Sequence, residues 1–581
     1  MRQTAPRVLL GLAAVAIMFA AADTYVVVLA LPDMMTTVGL DIDQLQRAAP
    51  IVSGFLLGYV GVLPLIGRIS DLRGRVPVLL GCLIVFAVGS VITAAAYDLP
   101  SIVTGRFIQG VGGGGLIPPT LALVADLWPP DRRGLPLGIV GAVQELGSVL
   151  GPLYGAVVLA FGSWRDIFWL NCAVGLVLAA AMVRMRDTDR QAPDRPGRLD
   201  VPGLVLGLLG VVGLALVMLE PDVLATGVTT GLAFLPVVGE SRWLTPVALV
   251  MFGLAAMFVV RQASARRPLL DWRGWADLGR ETDLRGALML TAGLGAVIVA
   301  FASAEPESAA ISPNAPWLLP VAALAFAGFW WRQRTAPLPL VPRGALSSRP
   351  AWGALVVSFF VGASLIAALV DIPFFARLTV HRESQLDAAL VLLRFLIALP
   401  IGAVVGGWLL RRVPAHILTA VAMLISAAAF LHMRTWDAES LRHETEMLSL
   451  VLGGFGFGLA IAPVNAALLE HTEGSVHGVA SGLLIVARMV GMLLGISALT
   501  TIGLHAFYDA SAEIPPAAEL CEGATAACKA YRDAVRDAGI AQLHAVFVGA
   551  ATCAATAAVL ALGLLRPSTA HVTSEAHDHT R

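Results

Sequence analysis

Apolar residues run through this chain in blocks of about twenty, separated by short polar stretches. A helix needs ~20 consecutive apolar residues to cross the hydrocarbon layer. By that measure the first third of the chain predicts six spans, near 8–31, 48–69, 76–97, 102–126, 135–160 and 166–184. Two apolar hairpins follow, 202–220 with 243–262 and 285–303 with 316–332. Six further spans close the series: 351–374, 386–410, 415–433, 446–470, 478–504 and 541–565. The first run lies behind Arg2 and Arg7 but is too long for a signal-peptide core, so it reads as a span. The pattern predicts sixteen spans, or fourteen if one hairpin only dips into the membrane.

Four segments result: a six-helix half (1–198), two central hairpins (199–349), a second six-helix half (350–566) with an outer extension (505–540), and a polar tail (567–581). Composition agrees with the pattern. Of 581 residues, 57% are hydrophobic and 14% charged, which fits an all-α polytopic membrane protein and no soluble class. The net charge of −1 says little about partners, because the charges are segregated by loop; no nucleic acid is expected. Arginine clusters at 68–75, 132–133 and 184–198 fall on alternate loops, and Arg566 follows the last span. The positive-inside rule then places both termini in the cytoplasm.

Two internal repeats stand out. Each hairpin opens with Asp-x-x-Gly (Asp200 and Gly203; Asp283 and Gly286) and closes with Arg-Gln and then Pro-Leu (Arg261, Gln262, Pro268, Leu269; Arg332, Gln333, Pro339, Leu340). The flanking Arg266, Arg267, Arg273, Arg334, Arg343 and Arg349 put both hairpin ends on the cytoplasmic side. The six-helix halves are related by a shift of 344 residues. Gly110, Gly112, Gly114 and Pro119 fall on Gly454, Gly456, Gly458 and Pro463, and Gly138, Gly147 and Gly151 on Gly482, Gly491 and Gly495. Two six-helix halves repeated in parallel, with a site between them near the midplane, are a transporter architecture.

Charges inside the spans come next, because lipid does not solvate an ionised group. Glu145 lies ~16 Å beyond Gly134 along its helix, and Arg488 ~15 Å beyond Gly478. The repeat sets Arg488 over Gln144, the neighbour of Glu145, so a carboxylate and a guanidinium are expected at similar depth and paired. Asp23 and Asp371 are two more acids, in the outer parts of the first and seventh helices. Two readings stay open: a static ion pair joining the halves, or a switch in which protonating Glu145 or Asp23 releases Arg488. Arg106, a few residues into its span, can snorkel to an interface. The polar stretch 505–540 predicts that the last two helices extend beyond the membrane. Cys521 and Cys528 lie about 10 Å apart on a straight helix, too far to bridge, while Gly523 permits a turn; a disulfide between them stays open. The tail histidines His571, His577 and His579 read as a polar tail rather than a metal site, and no metal or enzymatic constellation is found.

Several motifs resemble a known family. The stretch 67–75, with Gly67, Asp71, Arg73, Gly74 and Arg75, resembles the major facilitator signature between helices two and three. In it the acid and the arginines are expected to hold one side closed. Its counterpart at 406–412 lacks the acid. Arg106, Gln109 and Gly110 resemble the fourth-helix motif, and only that resemblance implies a role for Arg106 in proton handling. Gly147, Gly151, Pro152 and Gly155 resemble the fifth-helix motif of the superfamily's exporters, and 164–171 resembles the drug:proton antiporter group with extra central helices. The stretches 23–28, 144–155, 395–403 and 486–489 resemble, more narrowly, the mycobacterial lipid exporters of that group. That resemblance implies proton-driven export of triacylglycerides or other lipids, no cofactor beyond the proton gradient, and a central charge network of Asp23, Glu145 and Arg488. It also implies a periplasmic lipoprotein partner, a link to drug tolerance, and a bacterial inner-membrane location. A monomer is expected, and a multidrug:proton antiporter is the alternative. The second central hairpin departs from the family pattern.

Overall fold

The computed structural model describes residues 4–40, 45–189, 200–227, 229–265, 269, 278–279, 281–302, 314–381, 384–521 and 528–566. Outside them lie the tail 567–581 with His571, His577 and His579, and also Arg266, Arg267, Pro268, Arg273 and Gly523. Among the described residues the structure is all-helical. The chain begins with α1 (Thr4–Thr37), α2 (Leu45–Gly61), α3 (Leu63–Arg73), α4 (Arg75–Ala94), α5 (Leu99–Gly114) and α6 (Ile117–Leu127). Next come α7 (Gly134–Phe161), α8 (Trp164–Asp189), α9 (Val201–Leu219), α10 (Pro246–Ser264), α11 (Leu284–Ala302) and α12 (Ala315–Thr335). It closes with α13 (Arg349–Leu378), α14 (Gln385–Leu409), α15 (Ala415–Met433), α16 (Glu444–Glu470), α17 (His477–Ala512) and α18 (Lys529–Leu564).

Fifteen helices among the described residues are long and apolar enough to span a membrane. The sixteenth expected span forms the 21-residue helix α12. It falls outside that set because Trp317, Pro320, Trp330, Trp331, Arg332 and Arg334 dilute its apolar run. Two expected spans are broken. Pro64, with no N–H to donate, sits at the junction of α2 and α3, and the chain turns again between α5 and α6.

Two compact units emerge. The first comprises Met1–Leu116, Gly151–Ala292 and Ala325–Leu340; the second comprises Ile117–Leu150, Gly293–Leu324 and Val341–Arg581. In the first, α5 packs on α2 and α4, α8 on α1 and α4, and α9 on α10. In the second, α16 packs on α14 and α15, α13 on α17 and α18, and α17 on α18.

Hydrocarbon offers little hydrophobic drive between helices, so close backbone packing at small residues does much of the work. A Cβ on Gly110 would lie 2.1 Å from the Phe55 carbonyl oxygen, and one on Gly114 2.2 Å from that of Tyr59. In the second unit a Cβ on Gly454 would lie 2.0 Å from the Phe395 oxygen, and one on Gly458 2.0 Å from that of Leu399. The glycines matched by the sequence repeat thus make matching contacts, each inside its own unit.

The duplicated hairpin motif also closes in space. Arg261 donates to Asp200 Oδ1 through Nε at 3.0 Å and a terminal nitrogen at 2.8 Å. Arg332 Nε donates to Asp283 Oδ1 at 2.9 Å. A Cβ on Gly203 would lie 2.3 Å from Asp200 Oδ2, and one on Gly286 2.5 Å from Asp283 Oδ2, which explains the glycine in each motif. The bonds from Arg261 hold the Asp200 carboxyl below the usual carboxylate range. That contribution is therefore present above the ordinary carboxylate pKa and is lost as pH falls through the lower folded value. The second hairpin is tied to the α2–α3 break: Thr291 Oγ1 donates to the Gly61 carbonyl at 2.7 Å.

At the other end of the chain, α17 and α18 are each 36 residues long, about 54 Å, against a hydrocarbon core of about 30 Å. They pack on each other, and each is longer than the hydrocarbon core is thick. Cys521 and Cys528 are joined by a disulfide with a Cα–Cα distance of 5.8 Å. Cys521 follows a helical turn, Ala517–Leu520, and Cys528 directly precedes α18. The straight-helix geometry that would hold them apart is absent.

Gly458→Val is expected to destabilise the second unit by about 1–3 kcal/mol or more, through overpacking against the Leu399 carbonyl. Gly11→Val, at a position with nothing within 4 Å, should be close to neutral. Thermal unfolding in detergent, with size-exclusion profiles, checks both.

Candidate functional site

Four charged residues inside the apolar helices fall in two clusters, one in each unit. In the first unit, Asp23 on α1 and Arg106 on α5 form an ion pair with both side chains buried. The same guanidinium nitrogen donates to Gln109 Oε1 at 2.7 Å, one helical turn along α5. Gln109 Nε2 donates in turn to Asp23 Oδ1 at 3.1 Å and to Ser90 Oγ on α4 at 3.0 Å. Asn171 Nδ2 on α8 donates to the same Asp23 oxygen, and Tyr154 on α7 donates to Asn171 Oδ1 at 3.0 Å. The Arg106 guanidinium lies 4.3 Å from the ring centroid of Phe55 and 5.6 Å from that of Phe168. Five helices thus converge on one carboxylate.

This geometry excludes one of the two readings of Arg106. It is 1% exposed, so it does not snorkel to an interface. Arg106 also gives Asp23 a partner within its own unit. Sequence reasoning grouped Asp23 with Glu145 and Arg488 and missed Ser90, Asn171 and Tyr154 as members of its cluster. A polar residue at mid-span on α4 and on α8 was the available signal.

The exporter-like motif positions this cluster. A Cβ on Gly151 would lie 2.5 Å from the Ala22 carbonyl oxygen, and one on Gly155 2.4 Å from Val26 Cγ2. These contacts bring α7 onto α1 on either side of Asp23. Pro152 lies inside the same helix. Gly147 is buried at its start.

The second cluster lies wholly in the second unit. Glu145 and Gln144 on α7 line a recess together with Asn465 on α16 and Arg488 on α17; Leu121, Leu137, Val140, Gly141, Ile461 and Ile485 supply its apolar wall. Glu145 and Arg488, which the repeat sets at similar depth, both face this recess. Asn465 was missed by sequence reasoning; its Nδ2 donates to the Ile461 carbonyl at 2.8 Å, and its Oδ1 is buried with no hydrogen-bond partner among the described residues. Gly362 on α13 sets the position of Arg488: a Cβ there would lie 2.1 Å from the Arg488 carbonyl oxygen. Asp371 lies elsewhere on α13, half-buried and two residues before Pro373. It does not line this recess.

The signature at 67–75 forms the end of α3 and the start of α4. Asp71 pairs with Arg75, one turn on across Gly74, and Arg75 also donates to Ser70 Oγ at 3.2 Å. Gly74 has φ +89°, a conformation that favours glycine and lets the two helices meet at a sharp corner.

Buried acids beside arginines inside apolar, membrane-length helices are the kind of site found in transporters. The comparisons agree. Residues 13–331 match the Major Facilitator Superfamily, and the chain belongs to it. It is 35% identical over 532 residues to a triacylglyceride transporter of Mycolicibacterium hassiacum, covering 89% of this chain and 83% of that protein. A triacylglyceride transporter of Mycobacterium tuberculosis is 34% identical over 548 residues, covering 91% and 89%. Among solved structures, the human organic anion transporter MFSD10 aligns with TM-score 0.51 at 16% identity over 97% of this chain and 99% of that one. A proton:xylose symporter aligns with TM-score 0.54 at 12% identity over 97% of each. Those two likenesses speak to the fold alone.

Asp23→Asn should leave Arg106 buried without a counter-charge and cost about 3–5 kcal/mol. Adding Arg106→Gln to that variant should recover a large part of the loss. A double-mutant cycle on thermal unfolding in detergent checks it; additive losses would contradict the pairing.

Proposed function

We propose that this protein is a proton-coupled exporter of triacylglycerides or similar apolar lipids. The observation that carries the substrate class is the 34–35% identity to mycobacterial triacylglyceride transporters over about nine-tenths of the chain. Coupling is read from the two buried charge clusters. Glu145 beside Arg488 is the proposed proton-sensitive pair, because its recess holds further polar groups, Gln144 and Asn465, that could stabilise either state. Asp23 with Arg106 is the second candidate, and Asp371 is proposed as a third acid of the central charge network. Protonating an acid in such a pair removes the counter-charge of its arginine and changes the preferred helix arrangement by several kcal/mol at low dielectric. The Asp71–Arg75 corner is proposed to stabilise one closed state.

Export, rather than uptake, is read from the fifth-helix motif Gly147, Gly151, Pro152 and Gly155. The functional division is proposed as 1–198, 199–349 and 350–566, with both termini in the cytoplasm of a bacterial inner membrane. In that orientation the α17–α18 extension faces outward, where a periplasmic lipoprotein could receive the lipid. The working unit is taken as a monomer.

The test is reconstitution of purified protein in liposomes, with labelled triacylglyceride and a cationic dye in parallel, with and without a pH gradient. Lipid flux that rises with the gradient is expected, and Glu145→Gln should reduce it at least tenfold while leaving insertion and folding unchanged. Gradient-driven dye flux without lipid flux would instead identify a multidrug antiporter of the drug:proton group. Wild-type lipid flux in Glu145→Gln would remove that acid from the coupling.

A further inference from the structure

The exposed face of α14 carries an arginine where apolar residues are the rule. Leu390, Ile397 and Ile401 are 46%, 49% and 55% exposed and follow a three-and-four spacing along one helix face. Arg394 occupies the same stripe and is itself exposed. It lies nine residues beyond Gln385, about 13 Å into the helix. A guanidinium on an apolar, membrane-spanning face needs water, a carboxylate or another anion.

Among the described residues, none of these is a strong partner of Arg394. The recorded bond of Arg394 among the described residues is to Met447 Sδ, at 2.8 Å. A thioether is a weak acceptor and carries no charge. Glu446, one residue before Met447, lies instead 3.5 Å from His432 Nδ1. Met447 stands in the first turn of α16, which begins at Glu444. The guanidinium therefore reaches along α14 to the level where α16 enters the membrane. This is snorkelling to the polar boundary, where lipid phosphates lie.

Below that point the neighbouring helix continues the apolar surface. Leu448, Val451 and Leu452 on α16 are 58%, 42% and 42% exposed, and α14 packs on α16. A fixed cation at the boundary above exposed apolar surface on two packed helices matches one kind of molecule, a phosphate head above acyl chains. The end of the protein is also defined. The α15–α16 connection next to it is held to α18 by His544 Nε2, bonded to the Trp436 carbonyl at 2.7 Å. This is the membrane face from which α17 and α18 extend.

We propose that Arg394 binds the phosphate of a membrane glycerophospholipid whose acyl chains lie along α14 and α16, on the face from which the helical extension protrudes. Triacylglycerides carry no phosphate, so this lipid would be a resident and not the cargo. The site is independent of the exported substrate. A charge-assisted contact of this type should be worth about tenfold in affinity.

The test is native mass spectrometry of the purified full-length protein titrated with phosphatidylglycerol, and separately with diacylglycerol of the same acyl chains. Wild-type protein should retain phosphatidylglycerol about tenfold more tightly than Arg394→Gln. Arg394→Lys should keep a substantial part of that difference, and diacylglycerol should bind all three equally. Unfolding temperatures of the three in detergent verify that the variants are folded. Equal retention of phosphatidylglycerol by wild type and Arg394→Gln would overturn the proposal. So would parallel loss of diacylglycerol, which would mean that the substitution damages the apolar surface and not a phosphate contact.

Discussion

An ionised side chain inside hydrocarbon must find its counter-charge in the protein, and the first unit is built around one such pair. Asp23 and Arg106 are buried together; Gln109 and Asn171 bond directly to the pair and Ser90 bonds to Gln109, while Arg106 Nε has no hydrogen-bond partner among the described residues. Removing two charges from water is expensive, and attraction offsets the penalty only when the geometry is good and the other polar atoms are satisfied. The side chains of this network come from α1, α4, α5, α7 and α8. The requirement therefore fixes how those helices sit against one another. The same rule operates at the ends of the central hairpins, where Asp200 and Asp283 each bind an arginine from the partner helix.

Glycine packing makes that convergence feasible. Gly151 and Gly155 allow α7 to touch the backbone of α1 beside Asp23, and Gly110 allows α5 to touch α2 beside Phe55, whose ring faces Arg106. In the second unit Gly362 does the same for the backbone at Arg488. The motifs that mark exporters in sequence thus act here as spacers that hold charged side chains at a set distance. Their link to transport runs through position, since glycine itself has no chemistry to offer.

Much of this was legible in the chain. Apolar block lengths gave the helices, and the shift of 344 residues gave glycine contacts that recur in both units. The Asp-x-x-Gly and Arg-Gln repeat pointed to pairs that the fold does form. Residue spacing along a helix pointed to similar depths for Glu145 and Arg488, and both line one recess. What it could not give was which helices meet. Asp23 pairs with Arg106 because α1 and α5 share the packing around α4 and α8, a three-dimensional fact with no linear signature. Ser90, Asn171 and Asn465 were hidden for the same reason: a single neutral polar residue in a span is common, and only its neighbours give it a role. The α12 helix forms where the block pattern places it, although its tryptophans, amphipathic rather than apolar, dilute its hydropathy.

The central claim is that the buried acids exchange a proton for the lipid. The most direct test adds triacylglyceride to detergent-purified protein in weakly buffered solution and follows pH with a soluble indicator. The account predicts stoichiometric proton release by the wild type and its loss in the Glu145→Gln, Asp23→Asn double variant. Equal release by both proteins, or none by the wild type while lipid binds, would contradict it.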